Sequence, residues 1–289
     1  MKLNLPLVVT AFSIASTAAF AQTSRLEQIK ETGVINIGHR ETAAPMSFIT
    51  IAGEVQGYSV DVCGEVVKDL AAQLSIPKLE IRYVTITPQT RIPLMASGTV
   101  DIVCGNTAKT ISRLGQVGFS MPIFVDATRV AVALDAADIN SLGDLAGKSV
   151  GVSQGALVEK VLRQRLQDEN IAGVELALLP NEGEGLMALG TGRIDAFISN
   201  TSVIAAELEK SRYKDQLRVT GDNLQLQLGQ AAIMLPRGDA DLELAVNTTL
   251  ARLFRSGEMD ELFDKWFSPV GISMDPINQA AFKLGAVAE

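Results

Sequence analysis

Arg91 and Arg113 bracket the stretch TITPQTRIPLMASGTVDIVCGNTAKTISR, residues 85–113. A guanidinium is a planar fork of donors that binds carboxylates in a bidentate way. Two of them at one edge, with few acids nearby in sequence, suit a receptor for carboxylate groups. Positions suited to nucleophilic chemistry are absent: the chain has no His-paired Ser or Cys. Its one histidine, His39, adjoins Arg40, whose charge is expected to depress its basicity. Without a C-x-x-C or H-x-x-x-H spacing, no metal site or cofactor is implied. A net charge of −8 argues against nucleic acid and anionic membranes as partners. It also leaves clustered arginines unexplained by the global field.

The elements around the arginines decide whether they can converge. A β-like run from Leu79 to Ile86 ends in a polar turn, a helix follows, and Ser97-Gly98 stops it. A short strand, Asp101 to Gly105, then leads into a polar loop ending at Arg113. A right-handed strand–helix–strand crossover brings both strand ends to one edge of a parallel sheet, where ligands of open α/β sheets bind. Earlier, a helix over 24–33 precedes a strand from Val34 to Gly38, with Arg40 just past its end. Ser59 is a candidate N-cap for a helix striped by Val62, Val66, Val67, Leu70 and Leu74.

After an apolar loop, Phe119 to Val125, the βα pattern restarts. Strands are expected at Thr128–Leu134, Ser149–Ser153, Val174–Leu179, Asp195–Ser199 and Leu217–Thr220, and helices at 156–168, 182–191 and Thr201–Lys210. A strand from Gln230 to Leu235, a helix over 239–255 and a last helix carrying Phe263, Trp266 and Phe267 follow. Trp266 suits packing better than ligand stacking. The tail from Ser268 is expected to be irregular, with one further helical turn near Ala280. The fold class is therefore α/β, with two βα lobes joined by a two-strand hinge. Lobe 1 takes residues 22–127 plus 230–289, and lobe 2, residues 128–229, is inserted into it.

Lys2, the apolar run from Leu5 to Ile14 and the Ala19-Phe20-Ala21 site predict a leader over residues 1–21, cleaved after Ala21. That run is too short to span a membrane. Cys63 and Cys104, the only two cysteines, form either a disulfide or a pair of buried thiols.

The stretches INIGHRE, VQGYSVDV, ITPQTRIPLMASGTVDIVCG, SRLGQVGFS, TGRIDAF and MDELFDKWF together resemble the extracytoplasmic solute-binding proteins of polar amino acid ABC transporters (solute-binding protein family 3). GHRE and TPQTRIPLMASGT point to the glutamate/aspartate-binding branch. The resemblance spans Leu26 to about Phe267. It implies a type II periplasmic-binding-protein-like fold, a periplasmic location, a membrane permease as partner and a monomer by default. It also implies ligand roles by position. Arg113 matches the arginine for an α-carboxylate, and Arg40 and Arg91 match those for a side-chain carboxylate. Gly105, Asn106 and Thr107 would bring backbone donors close. Gly155 would open a helix whose N-terminus favours an anion, or simply make a tight turn.

Departures from the family pattern lie mostly in the second lobe. Ala156 and Leu157 replace small hydroxyl residues, and Ala108 replaces a threonine. Asn200 stands where the family has an ammonium-binding aspartate. Glu182 occupies the branch's histidine position. Either Glu182 or Glu184 serves the ammonium, or the ligand has no α-amino group, or Glu182 is a solvated helix-start acid. Three functions fit: a non-catalytic receptor for a small acidic amino acid or related dicarboxylate, a cyclohexadienyl-type dehydratase with Glu182 as general acid, and a sensory ligand-binding module.

Overall fold

The computed structural model describes residues 24–288 apart from Asn223, Gln225 and Gln227. The expected leader, residues 1–21, lies outside the described residues. Helix α1 (Arg25–Thr32) starts at Ser24, whose hydroxyl accepts from the Glu27 amide, and ends at Gly33 with φ +67°. Strand β1 (Val34–His39) follows. A small three-stranded antiparallel sheet at 42–43, 47–49 and 55–56 precedes helix α2 (Tyr58–Gln73). Next come β2 (Glu80–Thr85), α3 (Arg91–Ala96), β3 (Ile102–Cys104) and α4 (Ile111–Leu114). The long strand β4 (Gly118–Ala133) leads to β5 (Ser149–Ser153), α5 (Leu157–Asp168), β6 (Glu175–Leu179), α6 (Glu182–Gly190), β7 (Ala196–Asn200), α7 (Thr201–Lys210) and β8 (Leu217–Thr220). Strand β9 (Leu228–Leu235) returns, and α8 (Ala240–Ser256), α9 (Glu258–Phe267) and α10 (Pro276–Gly285) close the chain.

Nine strands join in the order β2-β1-β3-β9-β4-β7-β5-β6, with β8 also on β4. Strands covered on both faces, whether parallel or antiparallel, should be apolar on successive residues. Ile102, Cys104, Ile233 and Leu235 face one core of the first lobe, while Val103, Ala232 and Met234 face the other. The second lobe repeats the pattern: Val150, Val152, Ala196 and Ile198 lie on one side, Ala131 and Phe197 on the other. In the first lobe Tyr58, Phe124, Phe263 and Phe267 form one aromatic cluster, and the Tyr58 hydroxyl donates to the Ile123 carbonyl at 2.7 Å. Trp266 packs edge-on against Phe48 and donates its indole N–H to Asp61 at 2.7 Å.

Three sequence expectations change. Phe119–Val125 is not a loop but the first half of β4, paired along β9 from Gly118↔Leu235 to Ala127↔Leu228. Most of this stretch is buried, so it lacks the alternation that marks a half-exposed strand. Pro122, which has no N–H to give, sits where the register slips. Ser59 is not the N-cap of α2; Gly57 is, and the Ser59 hydroxyl contacts the carbonyl oxygens of Met46 and Gly105 at 2.8 and 3.1 Å. The tail carries a full helix, α10. It is capped by Asp275, and the Asn278 side chain exchanges two hydrogen bonds with the Val125 backbone.

Cys63 and Cys104 are bonded, which settles the alternative left open by sequence. The bridge fastens α2 to the end of β3. Reduction, or a Cys63→Ser/Cys104→Ser double variant, is expected to cost about 2–4 kcal/mol of stability by constraining a loop of this size less. Urea unfolding with and without reductant measures it, and identical midpoints would remove the bridge as a stabiliser.

Strands β4 and β9 run between the lobes. On β4, Asp126 is buried and accepts from the Ser202 hydroxyl at 2.5 Å and from the Ser202 amide in the first turn of α7. Burial pushes its carboxyl up to about 6 from 3.8, with the Ser202 and Asn200 hydrogen bonds opposing. A folded-state value raised for an acid means the folded chain holds the extra proton between those limits. Stability from this group is present below the unfolded value and is lost as pH rises through about 6. The parent should therefore gain on Asp126→Asn by about 1–3 kcal/mol as pH falls from about 7 to about 4.5. Denaturant titrations at both pH values report this difference, and a constant difference contradicts it.

Candidate functional site

Parallel strands place their carboxyl ends at a common edge, and the two lobes turn those edges towards each other. From the first lobe come Arg40, just after β1, Arg91 at the start of α3, and Asn106 and Thr107 just after β3. Arg113 projects from α4. The second lobe supplies Gly155 and Ala156 after β5, Glu182 at the first position of α6, and Asn200 at the end of β7.

All three arginines are buried, at 1%, 2% and 8% exposure for Arg40, Arg91 and Arg113. Their partners differ in kind. Arg40 donates through one terminal nitrogen to Asn106 Oδ1 at 2.8 Å and through the other to Glu182 Oε2 at 2.5 Å. It is an ion pair across the cleft with both side chains almost fully buried. Arg91 donates to Thr107 Oγ1 at 3.1 Å and reaches the Gly155 carbonyl at 3.5 Å, while its Nε has no partner. Arg113 donates to the carbonyl oxygens of Ala108 at 2.8 Å and Gly155 at 3.1 Å. Among the described residues, neither Arg91 nor Arg113 has a carboxylate within ion-pair distance. Burial, then the charges of Arg113 and Arg40, push the Arg91 guanidinium well below its ordinary value, with Glu182 opposing. Burial also lowers Arg113.

Other contacts bridge the lobes. The Ala44 amide donates to Glu207 at 2.7 Å, and the Lys210 ammonium lies 3.4 Å from the centre of the Phe48 ring. Burial raises the Glu207 carboxyl. Gly155 has φ +78°, and a Cβ there would stand 2.9 Å from the Gln89 backbone of the other lobe. The cavity left between these groups is about 20 Å³, room for roughly one water molecule.

Nine of the residues singled out from sequence line this cavity: Arg40, Arg91, Asn106, Ala108, Arg113, Ala156, Leu157, Glu182 and Asn200. Thr107 stands behind it, holding Arg91, and Gly155 reaches it through its carbonyl. That last point corrects the expected role. The Gly155 amide is taken by Glu159 Oε2 at 2.8 Å, so Gly155 presents an acceptor to the arginines rather than a donor to an anion. Glu182 is not a solvated helix-start acid, being only 2% exposed and paired with Arg40. Glu184 does not line the cavity. Asn106 uses its side chain to hold Arg40. His39 is lowered chiefly by burial, not by Arg40, whose carbonyl works in the opposite direction. Pro88 and Ser199 also line the cavity and were missed. Pro88 lies in the same turn as Arg91, but nothing in the sequence marked Ser199.

Two α/β lobes, two crossing strands and facing sheet edges lined by buried arginines define a type II periplasmic binding protein architecture. The chain belongs to the bacterial extracellular solute-binding proteins, family 3, whose pattern matches residues 35–269. It is 34% identical over 283 residues to an L-glutamate/L-aspartate-binding protein of Pseudomonas aeruginosa, covering 96% of this chain and 92% of that one. A glutamate/aspartate import solute-binding protein of Escherichia coli is 34% identical over 254 residues, covering 88% and 82%. Among solved structures, a solute receptor for L-cysteine of Neisseria gonorrhoeae aligns with a TM-score of 0.74 at 25% identity, over 88% of this chain and 98% of that one.

Gly155→Ala is expected to disfavour the closed arrangement by about 1–2 kcal/mol, through both the positive φ and the Gln89 contact. Small-angle X-ray scattering should register a larger radius of gyration. An unchanged radius would mean that close approach at this point does not limit closure.

Proposed function

We propose that this chain is the extracytoplasmic substrate-binding subunit of an ABC importer. It closes two lobes around a small acidic amino acid or related dicarboxylate and delivers it to a membrane permease. The lobes are residues 22–127 plus 230–289 and residues 128–229, and β4 and β9 form the hinge between them. The chain is exported to the periplasm after cleavage behind Ala21, and it acts as a monomer and without catalysis. Arg40, Arg91, Asn106, Thr107, Arg113, Gly155, Ala156, Glu182 and Asn200 make up the ligand site.

One observation carries this reading: Arg91 and Arg113, both buried, converge from one lobe on a single neutral carbonyl of the other. A carboxylate placed there supplies the charge that the Gly155 oxygen lacks. The cavity is far smaller than such a ligand, so the ligand enters as the lobes part and seals them as they close. The glutamate/aspartate relatives support an acidic ligand.

Calorimetry with glutamate, aspartate, succinate and 2-oxoglutarate tests the reading. At least one should bind, and binding at about 100 times the dissociation constant should add about 2.7 kcal/mol of stability. Arg113→Ala should weaken that ligand by about 2–5 kcal/mol, because it strands a buried carboxylate. Unchanged affinity would remove Arg113 from the site.

A further inference from the structure

The charges lining the cleft do not cancel. Three guanidiniums face it, and Glu182 is the one carboxylate among the described lining residues. Glu182 is already spent on Arg40. Asn200 lines the second-lobe wall as a neutral amide. Asp126 lies on β4, is absent from the cavity wall, and its carboxylate accepts from the Ser202 hydroxyl and amide. Glu207, outside the cavity wall, accepts from the Ala44 amide and has Lys210 nearby. Two positive charges are therefore left over, and no negative one.

We infer that the preferred ligand is a small dicarboxylate dianion without an ammonium group, because Arg91 and Arg113 are uncompensated while the cleft's one carboxylate is paired. This rests on the receptor reading and narrows its ligand class. An amino-free dicarboxylate brings two negative charges and balances the site. An acidic amino acid brings the same two and adds a cation beside buried guanidiniums. Only neutral oxygens await that cation, and they bind it roughly half as strongly as a carboxylate would. Partner exchange does not rescue it. If Glu182 turned to an ammonium, Arg40 would lose its counter-ion, and the sum would still be one positive charge in excess.

The test uses matched skeletons that differ only in the amino group: succinate against aspartate, and glutarate against glutamate, by calorimetry on the mature chain. The amino-free member of each pair is expected to bind at least about tenfold tighter. Equal or tighter binding of aspartate or glutamate overturns this inference and leaves the receptor reading standing. No binding by any of the four overturns both. A second arm separates charge from shape. Raising the pH to about 10 strips much of the ammonium proton from the free amino acid, so the succinate-to-aspartate ratio should narrow. A ratio that stays fixed would assign the discrimination to shape and overturn the charge-balance account.

Discussion

Burying a guanidinium is costly unless an anion or several well-placed oxygens replace its water, and Arg91 and Arg113 are buried with neutral oxygens alone around them. Much of the first lobe is arranged to hold them there. Thr107, which accepts from Arg91, is itself fixed by the Ala232 amide of β9 donating to its carbonyl at 3.1 Å. The Ala108 carbonyl that holds Arg113 lies in the same loop. That loop follows β3, whose last residue is bridged to α2 through the disulfide. The arginines are thus backed by sheet, helix and covalent bond, so their side chains keep little rotamer freedom.

The lobes are joined by a different device. Strand β4, sixteen residues long, pairs with β9 in the first lobe, with a register slip at Pro122, and with β7 and β8 in the second. Its backbone hydrogen bonds are therefore shared by both lobes. Asp126 sits at the crossing and accepts from the first turn of α7, so the helix nearest the hinge is tied to the hinge strand itself.

The sequence made the arrangement of strands and arginines legible because both follow from local rules. The ends of β1, β2 and β3, just before Arg40, the turn to Arg91 and Asn106, are marked by turn residues, and a parallel sheet sends such ends to one edge. Several features were hidden because they depend on tertiary neighbours. A strand buried for most of its length loses its alternation, so the first half of β4 looked like an apolar loop. Ser59 has the composition of a cap, yet the Met46 and Gly105 carbonyls claim it. Glu182 was legible as a site candidate but its partner was not: only the opposite lobe brings Arg40 to 2.5 Å from it. Helix α10 was legible only as a single turn near Ala280, because it buries little beyond Asn278, Phe282 and Gly285.

Gly155 meets the turn at Pro88 and Gln89 through main-chain atoms. At that point the lobes meet through backbone, whereas Glu182 crosses to the other lobe through its side chain, in the ion pair with Arg40. A change at Glu182 therefore alters the lining of the cavity and the contact between the lobes together, while the approach at Gly155 is indifferent to which side chains line the cavity.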